Sequence, residues 1–193
     1  MKFAHLHVHS NYSFCRGANS IEEICYSAQK KGFSHIALTD TNGLYGLGFF
    51  LQIARSYGLK PVIGAYLDKS SIQAVILAKN YSGYQFLCKT ITKIHCDDSL
   101  DLCAWLVQNR HDVIVLSNNS DLIRMTAASN RYDDFFVELI PHRGGEDAVQ
   151  LSKKFNFPLA ATNAVYFIDK ENFQSHFMLR AIDLNTTLTR IPP

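Results

Sequence analysis

Short apolar runs rich in β-branched residues recur along this chain, and the segments between them repeat their apolar residues at helical spacing. This alternation constrains the fold more than any single motif. A strand buried on both faces reads as a near-continuous hydrophobic run, and such strands separated by helices build a parallel sheet covered on both sides. Seven runs qualify as strands: KFAHLHV, SHIALTD, KPVIGAY, IQAVILA, DVIVLS, FFVELI and PLAAT. Helices are predicted from Ser20 to Lys31, Leu44 to Tyr57, Tyr84 to Ile94, Leu100 to Asn109, Asp121 to Ala128, Glu146 to Phe155, and onward from Asp169. Ser20 with Glu23 three residues on forms a capping-box signature, and Lys30, Lys31 and Gly32 make a matching stop. The pattern predicts an α/β fold in one domain over residues 1–193, either a β/α barrel or an open doubly wound parallel sheet.

Composition narrows the classes. The formal net charge of +2 over 193 residues offers no electrostatic basis for strong non-specific nucleic-acid binding. Five cysteines without a CxxC pair read as reduced thiols of a cytoplasmic protein rather than a disulfide framework. No stretch approaches the roughly 20 apolar residues of a membrane-spanning helix, so a membrane is not an expected partner.

In either architecture, chemistry gathers where strands end. His5, His7 and His9 alternate in the first run, which puts three imidazoles on one face of a strand and suggests the start of a metal site. The other strand ends carry Thr39-Asp40, Tyr66, Ser117-Asn118-Asn119, Pro141-His142-Arg143 and Thr162-Asn163. Few of these are strong metal ligands. His5, His7 and His9 also fit a plainer role as hydrogen-bonded histidines, and His142 with Arg143 could hold an anion or belong to a solvated loop.

Seven segments in register resemble the PHP (polymerase and histidinol phosphatase) domain: HLHVHSNYS, ALTDTNGLYG, LKPVIGA, ILAKNYSGYQFL, VIVLS, FFVELIPHRG and LAATNAVYFID. More narrowly, they are similar to the version at the N-terminus of bacterial C-family DNA polymerases, the DNA polymerase III alpha subunits. SNYSFCRGANSIEEI and AIDLNTTLTRIPP look closest to the error-prone branch. The resemblance implies a distorted seven-stranded β/α barrel at the head of a longer polymerase chain.

Active members of the family hold metal ions at the strand ends and hydrolyse phosphoesters, and that comparison turns up mostly replacements. His7 and His9 keep the opening HxH. Arg16 stands where the family has an aspartate, Tyr66 where it has a glutamate, and Asn119 where it has a cysteine or histidine. Ala164 and Tyr166 replace a closing aspartate and histidine. Two imidazoles without a carboxylate leave a divalent charge unneutralised, and a guanidinium repels a cation. The expectation is a degenerate, non-catalytic domain with no cofactor and at most weak zinc or manganese at the residual ligands His7 and His9. Arg16, Asp40, Tyr66, Asn119, His142, Arg143, Asn163 and Tyr166 would line a vestigial pocket, with Arg16 paired to Asp40. Expected partners are the rest of the polymerase chain and a proofreading exonuclease or clamp-associated subunit, with DNA reached only through the parent polymerase. The competing reading is a metal-dependent phosphoesterase or 3'-5' exonuclease with a reduced metal site.

Overall fold

The computed structural model describes residues 3–141 and 145–191. It divides into two compact units, Met1–Val62 with Ala164–Pro193, and Ile63–Asn163. The fold class is α/β, with six strands and seven α-helices among the described residues.

The first unit holds the opening segment, α1 (Ile21–Lys30), β1 (His35–Leu38), α2 (Leu47–Ser56) and α7 (Phe173–Asp183). Ser20 caps α1: its hydroxyl accepts from Glu23 N, and the Glu23 carboxylate accepts from Ser20 N at 2.8 Å. The capping box read from sequence is therefore formed, and Ile21, Ile24, Cys25 and Ala28 face inward from that helix. They join Val8, Ile36, Leu38, Phe50, Ala54 and Leu59 in one buried cluster.

The opening run differs from expectation. It makes isolated parallel bridges, His5 to Ile36 and Val8 to Val165, rather than a seventh strand. Val8 N donates to the Thr39 hydroxyl at 2.8 Å, so a side chain stands in for one ladder carbonyl, while Ala37 N and Thr39 N donate to the carbonyls of His5 and Val8.

The second unit carries β3 (Ile72–Ala78), β4 (Val113–Ser117), β5 (Phe135–Leu139) and β6 (Leu159–Ala161), with α3 (Tyr81–Cys96), α4 (Leu102–Asn109), α5 (Ser120–Ala128) and α6 (Gly145–Phe155). β2 (Lys60–Lys69) starts in the first unit and pairs with β3 in the second. β4, β5 and β6 pair in parallel as expected. β3, however, is antiparallel to both β2 and β4. Lys69 pairs with Ile72, leaving only Ser70 and Ser71 for the turn, and both have positive φ, 52° and 69°. Two residues in this conformation make a type I′ hairpin, whereas a parallel crossover needs a dozen or more. β4 then resumes the direction of β2.

Candidate functional site

The residues that carry the site chemistry of the first unit lie around the turn after Val8. His7 and His9 are 2% and 1% exposed. Their Nε2 atoms face each other at 3.0 Å. His9 Nδ1 lies 2.9 Å from Ser13 Oγ, which in turn donates to Asp40 Oδ1 at 2.6 Å. Asp40 also accepts from Ser10 N at 2.7 Å and, through Oδ2, from Ser10 Oγ at 2.8 Å. The backbone N–H of Thr41 donates to Ser13 Oγ at 3.0 Å.

A serine hydroxyl has one proton, and with Asp40 ionised Ser13 gives it to the carboxylate and accepts from His9 Nδ1. The order His9–Ser13–Asp40 also differs from that of a hydrolytic triad. A nucleophilic serine gives its proton to the histidine, and the carboxylate orients the ring from the far side. Here the carboxylate takes the serine proton, so the imidazole cannot act as base on Ser13.

Tyr166 covers the pair. Its ring stacks on His9 with centroids 4.5 Å apart and an interplanar angle of 6°. On its other side, His176 of α7 stacks at 5.3 Å, and His176 Nδ1 donates to the carbonyl of Arg16 at 2.7 Å. Gly17 is fixed by sterics, because a Cβ there would overlap the Ser10 carbonyl. Burial raises the Asp40 pKa above the ordinary carboxylate value, and the hydrogen bonds from Ser13 and Ser10 offset this only in part.

The structure thus brings His7, His9, Asp40 and Tyr166 together, with the Arg16 backbone at the edge. Ser10 and Ser13 donate to both oxygens of Asp40.

The other expected residues lie in the second unit. Tyr66 is buried in β2, opposite Val75. Asn119 caps α5, accepting from Asp121 N and Leu122 N, and donates to the Ser71 carbonyl. Asn163 is exposed just after β6. His142 and Arg143 lie outside the described residues.

Ser10 and Ser13 were missed as site residues, although both stand inside HSNYS; a hydroxyl declares no role until the fold supplies its carboxylate. Glu138 was missed as well. It is a buried acid in β5 whose carboxylate accepts from Thr162 Oγ1 at 2.6 Å. Its signal was an acid inside the apolar run FFVELI.

A metal would need more than the histidine pair. Among the described residues no three His, Cys, Asp or Glu side chains form a group able to hold an ion. His7 and His9 could supply two corners of a coordination sphere, but Asp40 spends its oxygens on serines and an aromatic ring covers His9. Within the first unit the cluster offers two imidazoles and a carboxylate already engaged by serines, fewer donors than a hydrolytic metal centre needs.

The α/β fold is one that solved structures of low sequence identity share. A two-domain protein of Bacteroides vulgatus, described as containing a predicted PHP-like metal-dependent phosphoesterase, superposes with a TM-score of 0.57 at 11% identity, covering 95% of this chain and 55% of that one. An amidohydrolase from Chromobacterium violaceum superposes at 0.56 with 12% identity, covering 91% and 96%. The PHP domain profile matches residues 5–158, and the chain belongs to the PHP domain family. Among curated relatives, the DNA polymerase III alpha subunit of Bacillus subtilis is 29% identical over 100% of this chain and 20% of its own length. That of Vibrio cholerae is 30% identical over 97% and 19%. The chain thus spans about a fifth of the curated relatives it matches.

Proposed function

We propose that this chain is a degenerate, non-catalytic PHP domain of an error-prone-type DNA polymerase III alpha subunit, serving as a structural platform in the cytoplasm. The observation that carries the reading is that the residual ligands His7 and His9 and the carboxylate beside them are held by one another and by serines. His9 is held by Ser13 and His7, Asp40 by Ser10 and Ser13, and Tyr166 fills the space above His9. A polar cluster satisfied in this way rigidifies a core without a cation. The partner in this reading is the remaining polymerase polypeptide, since the curated relatives are about five times as long as this chain. A proofreading exonuclease or clamp-associated subunit would reach the domain through that assembly.

One observation favours the other reading. His7 and His9 present Nε2 atoms 3.0 Å apart, close enough for both to bind one ion, and the Ser13–Asp40 bond behind His9 orients its ring as an outer-shell partner would. Elemental mass spectrometry on untagged protein, before and after incubation with zinc and manganese, separates the two. The platform reading expects less than about a tenth of an equivalent and no hydrolysis of bis-p-nitrophenyl phosphate. One equivalent or more, lost with His7→Ala and His9→Ala, together with hydrolysis, would establish the reduced phosphoesterase site.

A further inference from the structure

We propose that α7 is a detachable strap over the histidine cluster of the first unit: it opens locally, well short of global unfolding, and its opening admits small reagents to His7 and His9. Little holds the helix. Of its 11 residues only Ala181 is buried, while Phe173, Met178 and Ile182 are 47%, 50% and 67% exposed. Asn172 at its start provides no side-chain cap, and its first turn carries no acid. Its principal neighbours among the elements are the 3-10 turns Lys170–Asn172 and Leu188–Arg190, which flank it in sequence. An isolated helix of this length is marginal in water. α1 of the same unit is the contrast, with a formed capping box and Ile21, Ile24, Cys25 and Ala28 all buried. Elements with few buried apolar contacts open at the low end of a protein's range of local stabilities.

One histidine and a run of rings tie α7 down. His176 Nδ1 donates to the Arg16 carbonyl at 2.7 Å, and its ring lies on Tyr166 with centroids 5.3 Å apart. Phe167 meets His176 at 5.5 Å and Phe173 at 5.7 Å, and Phe173 stacks on Phe177 at 5.5 Å.

These contacts couple the helix to the cluster. Tyr166 is clamped between two imidazoles, with His9 on one face and His176 on the other. The backbone of Tyr166, however, is held by the opening segment and not by α7. Ala18 N donates to the Tyr166 carbonyl at 2.9 Å, Val165 N donates to the His7 carbonyl, and His9 N donates to the Val165 carbonyl. When α7 lifts, His176 leaves and the Tyr166 backbone stays, so the ring loses the partner that presses it onto His9. A change of χ1 rotamer then uncovers imidazoles that are otherwise almost wholly buried. This strap is independent of whether the domain supports a polymerase.

Two measurements on the same chain test it. Hydrogen exchange followed by mass spectrometry reports the opening of α7. Carbethoxylation by diethylpyrocarbonate, mapped by peptide, reports access to His7 and His9. The expected result is that α7 exchanges faster than α1 and with little dependence on urea, because a local opening exposes little surface. His7 and His9 should react at a rate that follows α7 rather than α1. His176→Ala removes a hydrogen bond and a ring contact, so it should speed both α7 exchange and His9 modification about tenfold, with α1 exchange unchanged. The urea dependence of the unaltered chain decides the matter even where that variant folds poorly. Exchange of α7 with the rate and urea dependence of α1 overturns the proposal. So does a His176→Ala chain whose α7 exchanges faster while His7 and His9 stay unreactive, since α7 would then be a frayed end and not a cover.

Discussion

A carboxylate as deeply buried as Asp40 destabilises a fold unless its lone pairs are met, and Ser10 and Ser13 meet three of them. Removing it strands those donors. Asp40→Ala is expected to cost about 3 kcal/mol or more, because an unpaired buried donor costs about 1–3 kcal/mol. Asp40→Asn keeps an acceptor for Ser10 N and Ser13 Oγ and turns the other side into a donor toward Ser10 Oγ, so its cost should stay near 1 kcal/mol. Urea denaturation of the three proteins measures both. The pH dependence has a definite sign. Asp40 has a raised pKa in the fold, so the folded state binds its proton more tightly than the unfolded state does. The contribution of Asp40 to stability is greatest below the ordinary value of 3.8 and falls as pH rises through the window up to the raised value. The stability of the native chain relative to Asp40→Asn should therefore decline across that window and then level off; a rise would contradict the burial argument. Ala164 is a second residue under strain. It is buried with a left-handed φ of 46°, a conformation that penalises a Cβ by about 1 kcal/mol. Ala164→Gly should recover about 0.5–1 kcal/mol in the same denaturation experiment.

At the scale of elements, the hairpin between β2 and β3 holds an unused gain. Ser70 and Ser71 both occupy positive φ, the geometry that Asn-Gly supplies without strain. The double change Ser70→Asn, Ser71→Gly should raise stability by about 0.5–2 kcal/mol, read as a shift in thermal midpoint. The same pair explains why the antiparallel β3 was illegible in the sequence: Ser-Ser carries no turn signal, so two apolar strands in succession looked like members of a parallel sheet. The capping box of α1 was legible because both of its partners lie within three residues of each other. His7 and His9 announced a site through their spacing alone. What held them was hidden, since Ser10 and Ser13 acquire their role only when β1 brings Asp40 some thirty residues along the chain to meet them. The interruption of the opening strand was equally hidden, because the Thr39 hydroxyl stands in for a ladder carbonyl at Val8 N only once the fold brings it there. Arg131 works at this scale too. Its guanidinium donates to the carbonyls of Val107, Gln108 and Arg110, closing the C-terminus of α4. Arg131→Ala should cost about 2–3 kcal/mol, more than a surface arginine, because those carbonyls lose charged donors.

For the whole molecule, the question is whether a cation contributes anything to its stability. Any ligand that binds the folded chain alone must stabilise it in proportion to how far its concentration exceeds its dissociation constant. A site with a micromolar constant, at about 100 µM zinc, would add about 2.7 kcal/mol. A chain of this size gains about 2–4 °C per kcal/mol, so the melting temperature would climb by about 5–10 °C. The donor set of the first unit argues for no such gain. The serines take both oxygens of Asp40, which leaves the two imidazoles of His7 and His9 without a carboxylate to neutralise a divalent charge. The expected outcome is a melting temperature that moves by less than about 1 °C with zinc, manganese or a chelator, set against the several degrees a micromolar site requires. A rise of several degrees that disappears in His7→Ala would mean that the imidazole pair still works as a ligand.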